Sequence, residues 1–165
     1  MVREFSHALD PYTIGAVWLA EGYLRHGDHA SARPLIERVL ATSRATGYLH
    51  YEGRACWLMG EYLAADAPAA AEDHVETALR IFERVGARND LAKAMVTRAA
   101  LRQRAGDVAT ARQLFGDASA IFQTLGTRGE LARIAAARAA LDRGLPIRLL
   151  ENLDVQFSAP RGGSA

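Results

Sequence analysis

Residues 16–24 read AVWLAEGYL and residues 55–63 read ACWLMGEYL. Superposed at an offset of 39, Trp18 meets Trp57, Leu19 meets Leu58, Tyr23 meets Tyr62 and Leu24 meets Leu63. The same offset carries Ala32 onto Ala71, Leu40 onto Leu79 and Gly47 onto Gly86. A second pair extends the series. GARNDLAKAMVTRAAL from Gly86 and GTRGELARIAAARAAL from Gly126 share Gly86, Arg88, Leu91, Ala92, Arg98, Ala99, Ala100 and Leu101 at an offset of 40. Self-similarity at this period is the signature of a repeat architecture. The extra residue is assigned to the link between units, because Gly47 to Ala55 is one step shorter than Gly86 to Met95 and loops absorb insertions cheaply.

Each unit reads as two helices. The second is the clearer: its apolar positions are Ala32, Leu35, Ile36, Val39 and Leu40, then Ala71, Val75, Ala78, Leu79 and Phe82, then Ala111, Leu114, Phe115, Ala118 and Phe122. That is the i, i+3, i+4, i+7 stripe of an amphipathic helix. The segments HGDHAS, ADAPAA and AGDVAT separate the two helices of each unit. In them Gly can take the left-handed conformation that ends a helix and Asp can cap the next one. Gly47, Gly86 and Gly126 stop the second helices in the same way. Small residues recur where helices must cross closely: Ala32, Ala71 and Ala111 at one position, Ala20 and Ala99 at another.

A two-helix unit cannot bury its apolar stripe alone, whereas stacked units can. The expected fold is therefore all-α, a right-handed superhelical array with one concave side. Its units span about 12–47, 51–86 and 91–126, with a capping helix at 131–142, so that residues 1–143 form the repeat domain. Residues 144–165 form a tail. Its apolar part, LPIRLLENLDVQF from Leu145, has no counterpart among the repeats and is expected to cap the last unit. The final SAPRGGSA is expected to be disordered.

The Gly-Asp turn, the Ala early in the second helix and the large apolar residue four later (Gly27-Asp28, Ala32, Ile36, Val39; Gly106-Asp107, Ala111, Phe115, Ala118) resemble tetratricopeptide repeats. The ending ALRIFERVGARNDLAKA, with Gly in place of the family's usual Pro, is similar to a longer-period subclass. That subclass occurs in the C-terminal parts of bacterial signalling ATPases, cyclase-linked regulators and transcription activators. The resemblance covers about residues 12–142. The third unit departs from it: Arg98 stands at an apolar position, as does Arg138 in the cap, and Arg102 replaces the Tyr of Tyr23 and Tyr62. In the second turn Asp66-Ala67-Pro68 replaces Gly-Asp.

The resemblance implies a non-catalytic module that receives a protein or peptide on the concave face built by the first helices, within a regulatory system. In this chain those positions are Val17, Glu21, Leu24, Cys56, Gly60, Leu63, Lys93, Val96, Ala100, Gln103 and Arg133. They do not form the Lys/Asn pattern by which some such repeats clamp a terminal carboxylate. The other reading is a sensory module whose groove binds a small ligand or signalling peptide and switches an attached effector. A deep apolar pocket near Trp57 favours the second, an open groove the first. A homodimer is compatible with either.

Composition narrows the classes. A net charge of +1 recommends neither nucleic acid nor an anionic membrane. No stretch approaches the roughly 18 apolar residues of a membrane span, and the N-terminal MVREFSHALDPY has no signal-peptide core. The lone Cys56 permits no intramolecular disulfide or structural zinc site and points to the reducing cytoplasm. No phosphate loop, dinucleotide turn or nucleophile elbow is present, so neither an enzyme nor a cofactor is expected. His26-Gly27-Asp28-His29 reads as a capping turn and not as a metal knot. His74, at the position of Leu35 and Leu114, reads as a partly buried histidine, Cys56 as a small core residue, and Trp18 and Trp57 as packing between units.

Overall fold

The computed structural model describes residues 11–145. Those residues form seven helices: α1 (Pro11–Arg25), α2 (His29–Thr46), α3 (Leu49–Leu63), α4 (Pro68–Val85), α5 (Arg88–Arg104), α6 (Val108–Leu125) and α7 (Arg128–Asp142). No strand occurs among them. The tail expected to cap the array, beyond Leu145, and the final stretch expected to be disordered lie outside the described residues.

The helix boundaries follow from the turn chemistry. The Asp28 carboxylate accepts the Ser31 backbone N–H at 3.0 Å and starts α2. Asp107 accepts the Thr110 N–H at 3.1 Å and starts α6. Both carboxyls are held below their ordinary value, first by the Ser31 or Thr110 side chain and then by these backbone bonds. The α4 start lacks a side-chain cap and uses Pro68, whose missing N–H is no loss in a first turn. Gly47, Gly86 and Gly126 end α2, α4 and α6 at φ of 76°, 70° and 70°, a region an L side chain enters only with strain.

Helices pack in chain order as hairpins α1/α2, α3/α4 and α5/α6, followed by α7, and each second helix also packs on the next first helix. Two apolar clusters result. One joins α1 to α4, with Ala94 and Leu101 of α5, around Ile36, Leu58, Val75 and Phe82; the other joins α5 to α7 around Ala99, Phe115, Phe122 and Ile134. Phe82, Phe115 and Phe122 have no exposed surface, and each contributes roughly 1.5–3 kcal/mol by leaving water. The expected crossings at Ala32, Ala71 and Ala111 are fully buried.

α3 is the most enclosed helix, with Gly53 through Gly60 all buried. Its seat on α4 depends on two glycines seven residues apart. A Cβ on Gly60 would lie 2.4 Å from Val75 Cγ2, and one on Gly53 would lie 2.8 Å from the Phe82 ring.

Two expectations need correction. The links α2–α3 (Gly47, Tyr48) and α4–α5 (Gly86, Ala87) are equally long, so the extra residue is not in the link between units. It falls in the following helix and turn: α5 has 17 residues where α3 has 15. Trp18 and Trp57 are also not alike. Trp57 is 2 % exposed, but Trp18 is 56 % exposed, because no helix among the described residues precedes α1 to cover it.

Candidate interaction face

The first helices of the hairpins touch one another: α1 packs on α3 and α3 on α5. No contact of similar extent joins α2 to α4 or α4 to α6.

The α3–α5 seam carries three polar rungs. His50 Nε2 meets Asp90 Oδ2 at 2.8 Å, the Trp57 indole N–H donates to Thr97 Oγ1 at 2.8 Å, and Arg104 Nη1 donates to the Ala64 carbonyl at 2.8 Å. The α3 members are seven residues apart (50, 57, 64), as are the α5 members (90, 97, 104). Seven residues are nearly two turns, so each set lies on one stripe. The two helices therefore run parallel and in register, every rung joining residues 40 apart.

Charged groups flank the seam. Glu21 on α1 is 4 % exposed. Its carboxylate accepts from Arg54 Nη2 on α3 and Arg25 Nη2, each at 2.6 Å, with Lys93 Nζ on α5 at 3.9 Å. The Arg54 guanidinium also stacks on Trp18 at 4.1 Å, and Lys93 Nζ lies 5.6 Å from the Trp57 ring centre. Thr97 in turn donates to Glu61. Burial pushes the Glu61 carboxyl up to about 7, against the Thr97 bond, the Arg133 charge, the Trp57 N–H and the Arg25 charge. Burial also acts to raise Asp90, but the His50 bond and the charges of Arg54, His50 and Lys93 outweigh it and hold the carboxyl below its ordinary value. Arg133 on α7 bonds Glu130 at 3.1 Å. Thr97 of α5 thus bonds Glu61 of α3, and the charges of Arg25 on α1 and Arg133 on α7 act on the same carboxyl.

The positions expected to face a groove divide in two. Val17, Leu24, Cys56, Gly60 and Ala100 are core residues. They offer a partner no surface, because neighbouring helices cover them; α3 alone is packed by α1, α2, α4 and α5. Burial pushes the Cys56 thiol up to about 11, so little thiolate forms near neutrality. Leu63 and Val96 are half-buried against the two clusters. Glu21, Lys93 and Arg133 belong to the charged network, and Gln103 donates to the Leu145 carbonyl at 2.6 Å.

Arg54, Trp57, Glu61, Thr97, His50 and Asp90 were missing from the expected face. The signal was present, because polar residues recur 40 apart and at sevenfold spacing on two first helices. The departures at Arg98 and Arg102 also have a role: both bond Glu72 of α4, at 2.8 and 2.5 Å, bracketing the second hairpin to the third. His74 is half-buried, and burial pushes its pKa down.

Open depressions lie on the surface of the described residues, two of them defined by their lining residues. One, of about 580 Å³, is lined by Tyr23, Ser31, Pro34, Leu35 and Arg38. The other, of about 460 Å³, is lined by Ala64, Ala65, Pro68, Leu101, Arg104 and Ala105. Neither includes Trp57. Among the described residues no three His, Cys, Asp or Glu side chains gather as a metal site, and no helix is long and apolar enough to cross a membrane. Compared with family models, curated proteins and solved structures, the chain matches none of them.

Proposed function

We propose that the chain is a tetratricopeptide-like array, wound as a right-handed superhelix, that binds a protein or peptide on the surface made by α1, α3, α5 and α7 and is not itself a catalyst. The observation that carries this reading is the parallel, in-register seam of the first helices α3 and α5, which Glu21 of α1 joins through Arg54 and Lys93. Binding affinity depends strongly on how much ordering a partner must impose. Here the polar groups are already fixed by one another, so little ordering is left. Contacts between first helices, without matching contacts between second helices, support curvature toward that side. With acids and bases interleaved, the surface suits a partner of mixed charge and not a polyanion.

The sensory reading has less support. Trp57 is buried, its N–H is spent on Thr97, and neither depression reaches it.

The test is affinity capture from the source cell with the immobilised full chain, followed by quantitative mass spectrometry. Glu61→Lys and Arg133→Glu alter the face; Glu76→Lys, on the exposed side of α4, is the control. The expected result is a protein enriched by the parent and the control and depleted at least tenfold on both face variants. A partner retained equally by all four baits refutes the proposed face.

A further inference from the structure

The end of α7 repeats the turn that elsewhere leads into a second helix. After α1, Gly27 N–H bonds Leu24 O at 3.1 Å and Asp28 N–H bonds Tyr23 O at 2.9 Å. After α5, Gly106 bonds Gln103 O and Asp107 bonds Arg102 O, both at 2.9 Å. After α7, Gly144 bonds Leu141 O at 3.0 Å and Leu145 bonds Ala140 O at 2.9 Å. The glycines have φ of 74°, 82° and 67°. In the first two turns the residue after Asp begins a helix, α2 or α6. A turn with this bonding redirects the chain into an antiparallel neighbour.

α7 also lacks the cover its sisters have. Counted from the preceding left-handed glycine, the sixth and thirteenth residues are Gly53 and Gly60 in α3, Ala92 and Ala99 in α5, and Ala132 and Ala139 in α7. In α3 these positions lie against α4, where a Cβ on Gly60 would meet Val75. Ala92 and Ala99 have no exposed surface and share a cluster with Ala111 and Phe115 of α6. Ala132 and Ala139 are exposed.

We infer that the Ala132–Ala139 face of α7 is a docking site whose occupant is this chain's own segment 146–157. Pro146 takes the position after the turn that Pro68 takes in α4. Counted from the turn residue as position zero, positions four and eight are Ala32 and Ile36, Ala71 and Val75, Ala111 and Phe115, all fully buried. In the tail they are Leu149 and Leu153, with Phe157 at position twelve, where α4 has the buried Leu79. Glu151 and Asp154 take positions six and nine, which are exposed at Asp73 and Glu76. The consequence of this docking for the interaction face is direct, since α7 carries Arg133.

The test is hydrogen exchange on the full chain and on the double variant Leu149→Asp/Leu153→Asp. Backbone amides of residues 134–141 are expected to exchange at least tenfold faster in the variant, while α1 to α4 keep the protection of the parent and thereby report that the array is folded. Glu151→Ala/Asp154→Ala is expected to change nothing. Unchanged α7 protection in the Asp variant, or equal loss in the Ala variant, overturns the inference. So does α7 protection that depends on protein concentration, which would place a second copy on that face.

Discussion

Gly60→Ala tests the close seat of α3 on α4. In an open helix interior, Gly→Ala stabilises by about 1 kcal/mol, through backbone entropy and helix propensity. Gly22 in α1 meets that condition: a Cβ there has nothing within 4 Å. Gly60 does not. Its Cβ would lie 2.4 Å from Val75 Cγ2 and 3.2 Å from the Ala71 carbonyl, against an optimum for carbon atoms of about 3.5–4.0 Å. Val75 cannot swing away easily, because it is fully buried and β-branched, and Ala71 O is backbone. α4 must therefore shift on α3, and overpacking of this kind costs about 1–3 kcal/mol. After the propensity gain, Gly60→Ala is expected to destabilise by about 1 kcal/mol, while Gly22→Ala stabilises by about 1 kcal/mol. For a chain of this size 1 kcal/mol moves Tm by about 2–4 °C, so the two variants should melt about 4–8 °C apart, on opposite sides of the parent. Circular dichroism at 222 nm reads both transitions. If Gly60→Ala melts at or above Gly22→Ala, the α3–α4 crossing is not close-packed and the reasoning fails.

Three further outcomes are expected. Glu21→Gln leaves the buried Arg54 without its counter-charge and should cost about 3–5 kcal/mol, whereas Glu21→Leu combined with Arg54→Leu should recover most of that loss in a urea titration. For Glu61 the folded carboxyl titrates at about 7 and its ordinary value is 4.5. The folded state thus binds the extra proton between those values, so this group's contribution to stability falls as pH rises through that window and is level above it. Glu61→Gln should match the parent at about pH 4.5 and exceed it at pH 8; a parent whose margin over the variant does not shrink with pH contradicts the cause assigned. Ala67→Asp supplies α4 with the N-cap that Asp28 and Asp107 give α2 and α6, and should raise stability by about 1 kcal/mol; a lower melting temperature would show that the Pro68 start excludes such a cap.

The helices were legible because their signals are local. The stripe through Ala71, Val75, Ala78, Leu79 and Phe82 has one period, and the left-handed glycines at 47, 86 and 126 sit at its ends. The candidate face was legible only in part. Glu21, Lys93 and Arg133 stood out because charge on a first helix contrasts with an alanine-rich background, and Glu21 and Lys93 lie in one charged cluster. Val17, Cys56 and Ala100 were misjudged, because the side of a helix that meets a neighbouring first helix and the side that meets solvent carry similar small residues.

The sequence by itself determined the all-helical class, the order of the helices, their turns and the side each second helix buries, because hydrophobic period, proline, glycine and capping residues act within a few residues of themselves. Tertiary structure alone decided which copy of a repeated residue is inside. Ala92 and Ala99 recur 40 residues on as Ala132 and Ala139 within nearly the same sequence, yet among the described residues only the first pair is covered by a second helix. Trp57 is in the core and Trp18 is not. Burial of a repeat position depends on the helices stacked before and after it, and identical residues at the end and in the middle of an array have different neighbours.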